Sequence, residues 1–121
     1  MKHCLVVDDS SVVRKVARRI LELNEIRVSE AADGTQALEM CQSVMPDIVF
    51  VDWDMPVMNG FDFVKLLRAT PGGDQPRVLF CTSENDVAQI ARAIRAGADA
   101  HMMKPFDREI FEAKLQDEGL I

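Results

Sequence analysis

Four places in this sequence set carboxylates, hydroxyls or an amine directly after a short apolar run. Asp8 and Asp9 follow Cys4-Leu5-Val6-Val7, Asp52 follows Ile48-Val49-Phe50-Val51, Thr82 and Ser83 follow Val78-Leu79-Phe80-Cys81, and Lys104 follows Ala100-His101-Met102-Met103. Singly, each has an ordinary explanation: a solvated loop or helix cap, a turn residue, the end of a strand. Together they form a set for moving a phosphoryl group. Three carboxylates in one place cannot all stay ionised without a cation. Ligation by oxygen alone favours a hard ion, Mg2+ or in its place Mn2+, in octahedral geometry with several waters retained. Asp52 is then a carboxylate nucleophile toward phosphorus. The ion and Lys104 offset charge on the phosphoryl oxygens, and Thr82 donates a hydrogen bond to one of them.

These residues meet only if the runs before them share one sheet and one direction. Residues 4–7, 26–31, 47–51, 78–81 and 100–103 read as strands, most of them apolar enough to be buried on both faces. Helices are expected between them. Ser10 or Ser11 caps the first, whose apolar face is Val12, Val13, Val16, Ala17, Ile20 and Leu21. The second covers 35–44 after the Asp33-Gly34 turn, and the third runs from 61 to about 69 before Pro71-Gly72-Gly73. The fourth covers 86–96 with Gly97 past its end, and the last runs from Asp107 to about Leu115. Strands joined by crossovers of helical length make a parallel α/β sheet with helices on both faces. Ligand crevices in such sheets lie at the C-terminal ends of the strands, where all five chemical residues stand. The pattern alone leaves the strand order open.

A chain of 121 residues holds one hydrophobic core. Its formal net charge of −6 disfavours DNA, RNA and anionic membrane as direct partners. No apolar run is long enough to span a bilayer, and the first nine residues do not make a signal peptide, so a cytoplasmic protein is expected. Cys4, Cys41 and Cys81 sit in apolar contexts at wide spacing, which predicts reduced core thiols rather than a metal or redox site.

Leu5-Val6-Val7-Asp8-Asp9-Ser10, the stretch from Val51-Asp52-Trp53-Asp54-Met55-Pro56 to Asn59-Gly60, Phe80-Cys81-Thr82-Ser83 and Met103-Lys104-Pro105-Phe106 resemble the receiver domains of two-component response regulators, above all the stand-alone regulators of the chemotaxis type. The resemblance implies a doubly wound, flavodoxin-like sheet of order 2-1-3-4-5 with five helices, and one receiver over 1–121 without an output domain. It implies that Asp52 accepts a phosphoryl group from a histidine kinase or phosphotransfer protein. Asp9, Asp52 and the backbone carbonyl of Asp54 would ligate Mg2+, with Asp8 holding a metal-bound water. Thr82 and Lys104 would carry the switch hydroxyl and the lysine, and Met55, Pro56 and Gly60 the loop that shapes the pocket. Signalling would pass to a downstream protein through the face of helix 4, strand 5 and helix 5, or the chain would act as a phosphorelay sink. A monomer is expected that catalyses only its own phosphorylation and dephosphorylation.

Several residues depart from the family pattern. His101 stands where the family carries an aromatic switch residue. It is either a solvent-facing edge residue or a polar switch. Asp54 and Glu84 lie where side chains tune phosphoryl lifetime. Arg14, Lys15, Arg18 and Arg19 make either a solvated face or a docking face for phosphodonors. Two other functions compete. Asp52-Trp53-Asp54 imitates the Asp-x-Asp of haloacid-dehalogenase phosphatases, although the order of the acidic segments is reversed. A pseudo-receiver would not need the full acidic set.

Overall fold

The computed structural model describes residues 1–83 and 87–121. Its elements are β1 (His3–Val7), α1 (Ser11–Leu23), β2 (Arg27–Ala31), α2 (Gly34–Ser43), β3 (Ile48–Asp52), α3 (Gly60–Ala69), β4 (Arg77–Thr82), α4 (Val87–Ala96), β5 (Ala100–Met103) and α5 (Arg108–Asp117). The strands pair in parallel in the order β2-β1-β3-β4-β5. This is the flavodoxin-like order that the resemblance implied.

Alternation along the strands divides the core in two. Leu5, Val7, Val49, Val51, Val78 and Phe80 turn to one face and pack with Ala37 and Cys41 of α2, Phe63 and Leu67 of α3 and Ala93 of α4. Cys4, Val6, Ile48, Phe50, Leu79 and Cys81 turn to the other and pack with Ala17 and Leu21 of α1 and Phe111 and Leu115 of α5. Period-two side chains buried on both sides give continuous apolar runs. The three cysteines are free and buried, and burial pushes the Cys4 and Cys81 thiols up to about 12.

Element ends follow cap chemistry. Ser10, not Ser11, caps α1, its side chain accepting from Val13 N. Asp33 caps α2 and Asn59 caps α3, so those helices begin at the glycines Gly34 and Gly60, one residue earlier than expected. Asp107 caps α5, so that helix begins at Arg108, one residue later than expected. The expected start of the fourth helix at Asp86 lies outside the described residues. The face expected for α1 needs correction. Ala17, Ile20 and Leu21 are buried and Val13 is half-buried, but Val12 is 68% and Val16 42% exposed. α1 touches the sheet along a narrow stripe, and these two valines lie beside it, toward Pro105 and Phe106.

The opposite end of the molecule is tied by Arg68, at the end of α3. Its guanidinium donates to the carbonyls of Gly73, Pro76 and Gly97 and to the Asp99 carboxylate, at 2.8–3.0 Å. Gly97 ends α4 at φ +120, and a Cβ there would come within 2.8 Å of Arg68 Cγ. Arg68→Ala leaves these half-buried carbonyls unpaired and is expected to cost about 3 kcal/mol in urea unfolding. Arg68→Lys recovers only part of this, because an ammonium cannot reproduce the planar fork. Equal midpoints for Arg68→Ala and the parent would remove Arg68 from the fold's supports.

Candidate functional site

All five strands point their C-terminal ends the same way, which brings the chemical residues together. β1 runs straight into Asp8, whose N–H donates to Ala31 O at the end of β2. Asp52 is the last residue of β3 and pairs in register with Cys81, which sets Thr82 one residue beyond it on β4. Lys104 follows β5, and its N–H donates to Thr82 O at 2.7 Å. Carboxylate oxygens of Asp8, Asp9 and Asp52 lie within 4.8 Å of one another. The Lys104 ammonium stands 2.7 Å from Asp8 Oδ2 and 3.3 Å from Asp52 Oδ1.

Asp8 is fully buried and Asp52 only 5% exposed, whereas Asp9 faces solvent. Ser10 N donates to Asp8 Oδ1. Asp8 Oδ2 meets the Lys104 ammonium at 2.7 Å. Burial, then the charge of Asp8, raise the Asp52 carboxyl to about 6. Lys104 pulls it down and Asp9 adds to the rise. Burial also opposes the Lys104 charge, but the Asp8 carboxylate and the charge on Asp52 outweigh it and hold its pKa above the usual lysine value.

The loop after β3 closes over this corner. Trp53 N–H donates to Cys81 O, and Trp53 O accepts from Gly60 N at 2.9 Å. A Cβ on Gly60 would lie 2.5 Å from Asp52 O and 2.7 Å from Trp53 Cα, so only glycine lets α3 start here. Met55 is buried in the core, Pro56 is exposed, and Val57 holds a left-handed φ of 70. Asp54 is exposed and stands outside the carboxylate group. Glu84 lies outside the described residues.

Two contacts escape inspection of the sequence. Arg14 donates to Asp8 O at 2.7 Å and, with Arg18, clasps Glu30 of β2. Half of the basic face on α1 is therefore occupied with the fold, and Lys15 and Arg19 remain exposed. His101 is neither simply solvent-facing nor apolar: it is half-buried and shares a 2.9 Å hydrogen bond between its Nε2 and Thr82 Oγ1.

Residues 4–116 match the family model of the response regulator receiver domain. The chain belongs to that family. It is 35% identical over 113 residues to the chemotaxis protein CheY of Pseudomonas aeruginosa, covering 93% of this chain and 91% of that one. It is 33% identical to a CheY homologue of Campylobacter jejuni, over 93% of this chain and 88% of the relative. The solved chemotaxis response regulator CheY4 of Vibrio cholerae superposes with a TM-score of 0.92 at 33% identity, over 97% of this chain and 98% of that one. A receiver domain of a Pseudomonas aeruginosa sensor histidine kinase, solved with a magnesium ion coordinated in its active-site cleft, superposes at 0.87 with 26% identity, over 96% and 95%. The chain is thus a CheY-like response regulator receiver, and phosphorylation on an aspartate is the family's general function. The haloacid-dehalogenase alternative finds no support, because the receiver match runs through every acidic segment on which it drew.

Receivers bind a divalent cation at an acidic cluster, and the residues of this one fit. The donors are all oxygens, they converge, and two of the three carboxylates, Asp8 and Asp52, are buried with only one cation, the Lys104 ammonium, close to both among the described residues. Trp53 is the only tryptophan and there is no tyrosine. Its ring is half-buried, 5.9 Å from that of Phe61, and its backbone adjoins Asp52. Titration with Mg2+ is expected to change its emission along a saturable one-site curve, and Asp9→Ala to weaken that curve at least tenfold. An unchanged curve in Asp9→Ala would take Asp9 out of the ligand set.

Proposed function

We propose that Asp52 is the phosphoacceptor, loaded from a phosphohistidine of a histidine kinase or phosphotransfer protein. The observation that carries this reading is the joint approach of Asp8, Asp9 and Asp52 with the Lys104 ammonium between Asp8 and Asp52. In the transfer an Asp52 oxygen bonds to phosphorus, the bond from phosphorus to the histidine nitrogen breaks, and the leaving imidazole takes a proton. Asp9, Asp52 and the Asp54 carbonyl would hold Mg2+, with Mn2+ as a substitute, and Asp8 would hold a water bound to it. The bound ion supplies charge stabilisation to the transferring group. Lys104 pairs with a phosphoryl oxygen as it leaves Asp52 Oδ1, and Thr82 donates to another. The chain turns over no other substrate.

Output passes to a downstream protein at the face of α4, β5 and α5. There Val87, Ile94, Met103 and Ile110 are exposed, and exposed apolar side chains grouped on one face fit a protein partner. We read residues 1–121 as one receiver acting as a cytoplasmic monomer. No helix among the described residues is long and apolar enough to cross a membrane.

Acetyl phosphate with Mg2+ is expected to add one phosphoryl group, mapped to Asp52 by mass spectrometry, with none in Asp52→Asn and none in chelator. Equal labelling in chelator, or labelling retained in Asp52→Asn, would overturn the assignment.

A further inference from the structure

Glu30 of β2 lies in register with Val6 of β1, and Val6 faces the side of the sheet that α1 covers. The Glu30 carboxylate therefore meets α1, where two arginines one turn apart take one oxygen each. Arg14 Nε donates to Oε1 at 3.0 Å and Arg18 Nε to Oε2 at 2.7 Å. Burial pushes the Glu30 carboxyl up, but the hydrogen bonds from Arg18 and Arg14 outweigh it and hold the group below its ordinary value. Arg14 has a second partner. β2 stops at Ala31, whose carbonyl accepts from Asp8 N. The Asp8 carbonyl lies beyond that last rung, and Arg14 Nη1 donates to it at 2.7 Å. Arg18 turns instead toward Glu22, 3.8 Å away.

A peptide group is planar, so the bond to the Asp8 carbonyl fixes the plane of the Asp8–Asp9 peptide and the point from which Asp9 departs. Asp9 is the exposed member of the carboxylate group, so backbone direction rather than packing has to aim its side chain. We propose that Arg14 is a positioning residue for the cation site: braced by Glu30, it holds the Asp8 carbonyl and so aims the Asp9 carboxylate at the point it shares with Asp8 and Asp52. The planar fork of a guanidinium holds two acceptors in fixed directions, which an ammonium cannot do. Charge alone acts with the opposite sign. Arg14 is a cation beside a cation site, so loss of its charge strengthens metal binding by Coulomb repulsion removed, whereas loss of its aim weakens it. The proposal rests on the reading of Asp9 as a Mg2+ ligand, and its first test does not depend on that reading.

In the metal-free protein the carbonyl 13C resonance of Asp8 and the amide 15N resonance of Asp9 are expected to be displaced in Arg14→Met and unmoved in Arg18→Met. An unmoved Asp8 carbonyl in Arg14→Met would overturn the anchor. The second test reads Mg2+ affinity from Trp53 emission and, independently, Mn2+ affinity from the electron paramagnetic resonance of the free ion. Arg14→Met is expected to weaken both about tenfold, the lower end of the loss on removing a group that orients a metal ligand, and the milder Arg14→Lys, which keeps the charge but not the fork, about threefold. Arg18→Met also removes a cation and a partner of Glu30, yet is expected to stay within about twofold of the parent, since it leaves the Asp8 carbonyl held. Unchanged or tighter binding in Arg14→Met, or equal weakening in Arg18→Met, would overturn the positioning role and leave Asp9 as a ligand. If Asp9→Ala binds both ions as the parent does, the ligand assignment itself fails and the role of Arg14 at the cation site fails with it.

Discussion

Lys104→Met is expected to lower the stability of the metal-free protein by about 3 kcal/mol at neutral pH, and saturating Mg2+ to return most of the loss. The ammonium stands within 2.7 Å of Asp8 and 3.3 Å of Asp52, whose side chains are 0% and 7% exposed. Removing one partner of a buried ionic group leaves an uncompensated charge, which costs about 3–5 kcal/mol. Partial protonation of Asp52, whose carboxyl already stands at about 6, limits the damage to the low end of that range. Methionine retains most of the aliphatic stem, so the loss reports charge rather than packing. The measurement is urea unfolding in chelator and in Mg2+. Coincident midpoints for parent and variant in chelator would show that Lys104 does not hold the carboxylates together. Acetyl phosphate is still expected to label Asp52 in this variant, whereas the response at the α4–β5–α5 face, followed by backbone chemical shifts, is expected to be lost.

Asp52→Asn is expected to act in the opposite direction and to stabilise the metal-free protein by about 2–3 kcal/mol above pH 7. The Asp52 carboxyl is raised from its ordinary 3.8 to about 6, first by burial and then by the Asp8 charge, against the pull of Lys104. Between those values the folded chain binds more protons than the unfolded chain, so the parent loses stability as pH rises through the window and holds level above it. A shift of about two units corresponds to roughly 3 kcal/mol as an upper bound. The amide has no charge to strand, so the advantage of the variant is absent near pH 4, opens between about pH 4 and 6 and is complete above. Other carboxylates are common to both proteins and cancel in the difference. Mg2+ narrows the gap, since it binds the folded parent more tightly than the variant. Unfolding curves in chelator from pH 3.5 to 8 test this. A difference that is constant across that range, or a variant less stable at neutral pH, would show that Asp52 is not a strained charge.

The same burial explains why so much of this protein is legible before folding. Strands covered on both faces must be continuously apolar, so Cys4–Val7 and Ile48–Val51 stand out from their surroundings, and the polar residue that ends each run is delivered to one edge of the sheet. The order of the strands is a different kind of information. Right-handed crossovers allow several orders, and only the family resemblance distinguished among them. Helix faces were less legible. Val12 and Val16 have the spacing of core residues, yet the narrow contact between α1 and the sheet leaves them outside. Arg14 looked like a surface charge because its partners, Glu30 and the carbonyl of Asp8, are neighbours only after β1 and β2 pair. The bond between Thr82 and His101 depends on the β4–β5 register, which sets Phe80 against His101 and Thr82 against Met103. No local pattern contains that register.

Arg68 has a mechanical consequence. Its carbonyl partners lie at Pro76, just before β4, and at Gly97, with Asp99 just before β5, so a single guanidinium holds together the N-terminal roots of the two strands whose other ends carry Thr82 and Lys104. A strand of six residues is about 20 Å long. With one end pinned, a pull on Thr82 or Lys104 cannot slide β4 and β5 along the sheet and has to swing them about their roots. In such a swing Arg68 would be the fulcrum, and the displacement would be greatest at the rim where the phosphoryl group would sit and smallest at the base.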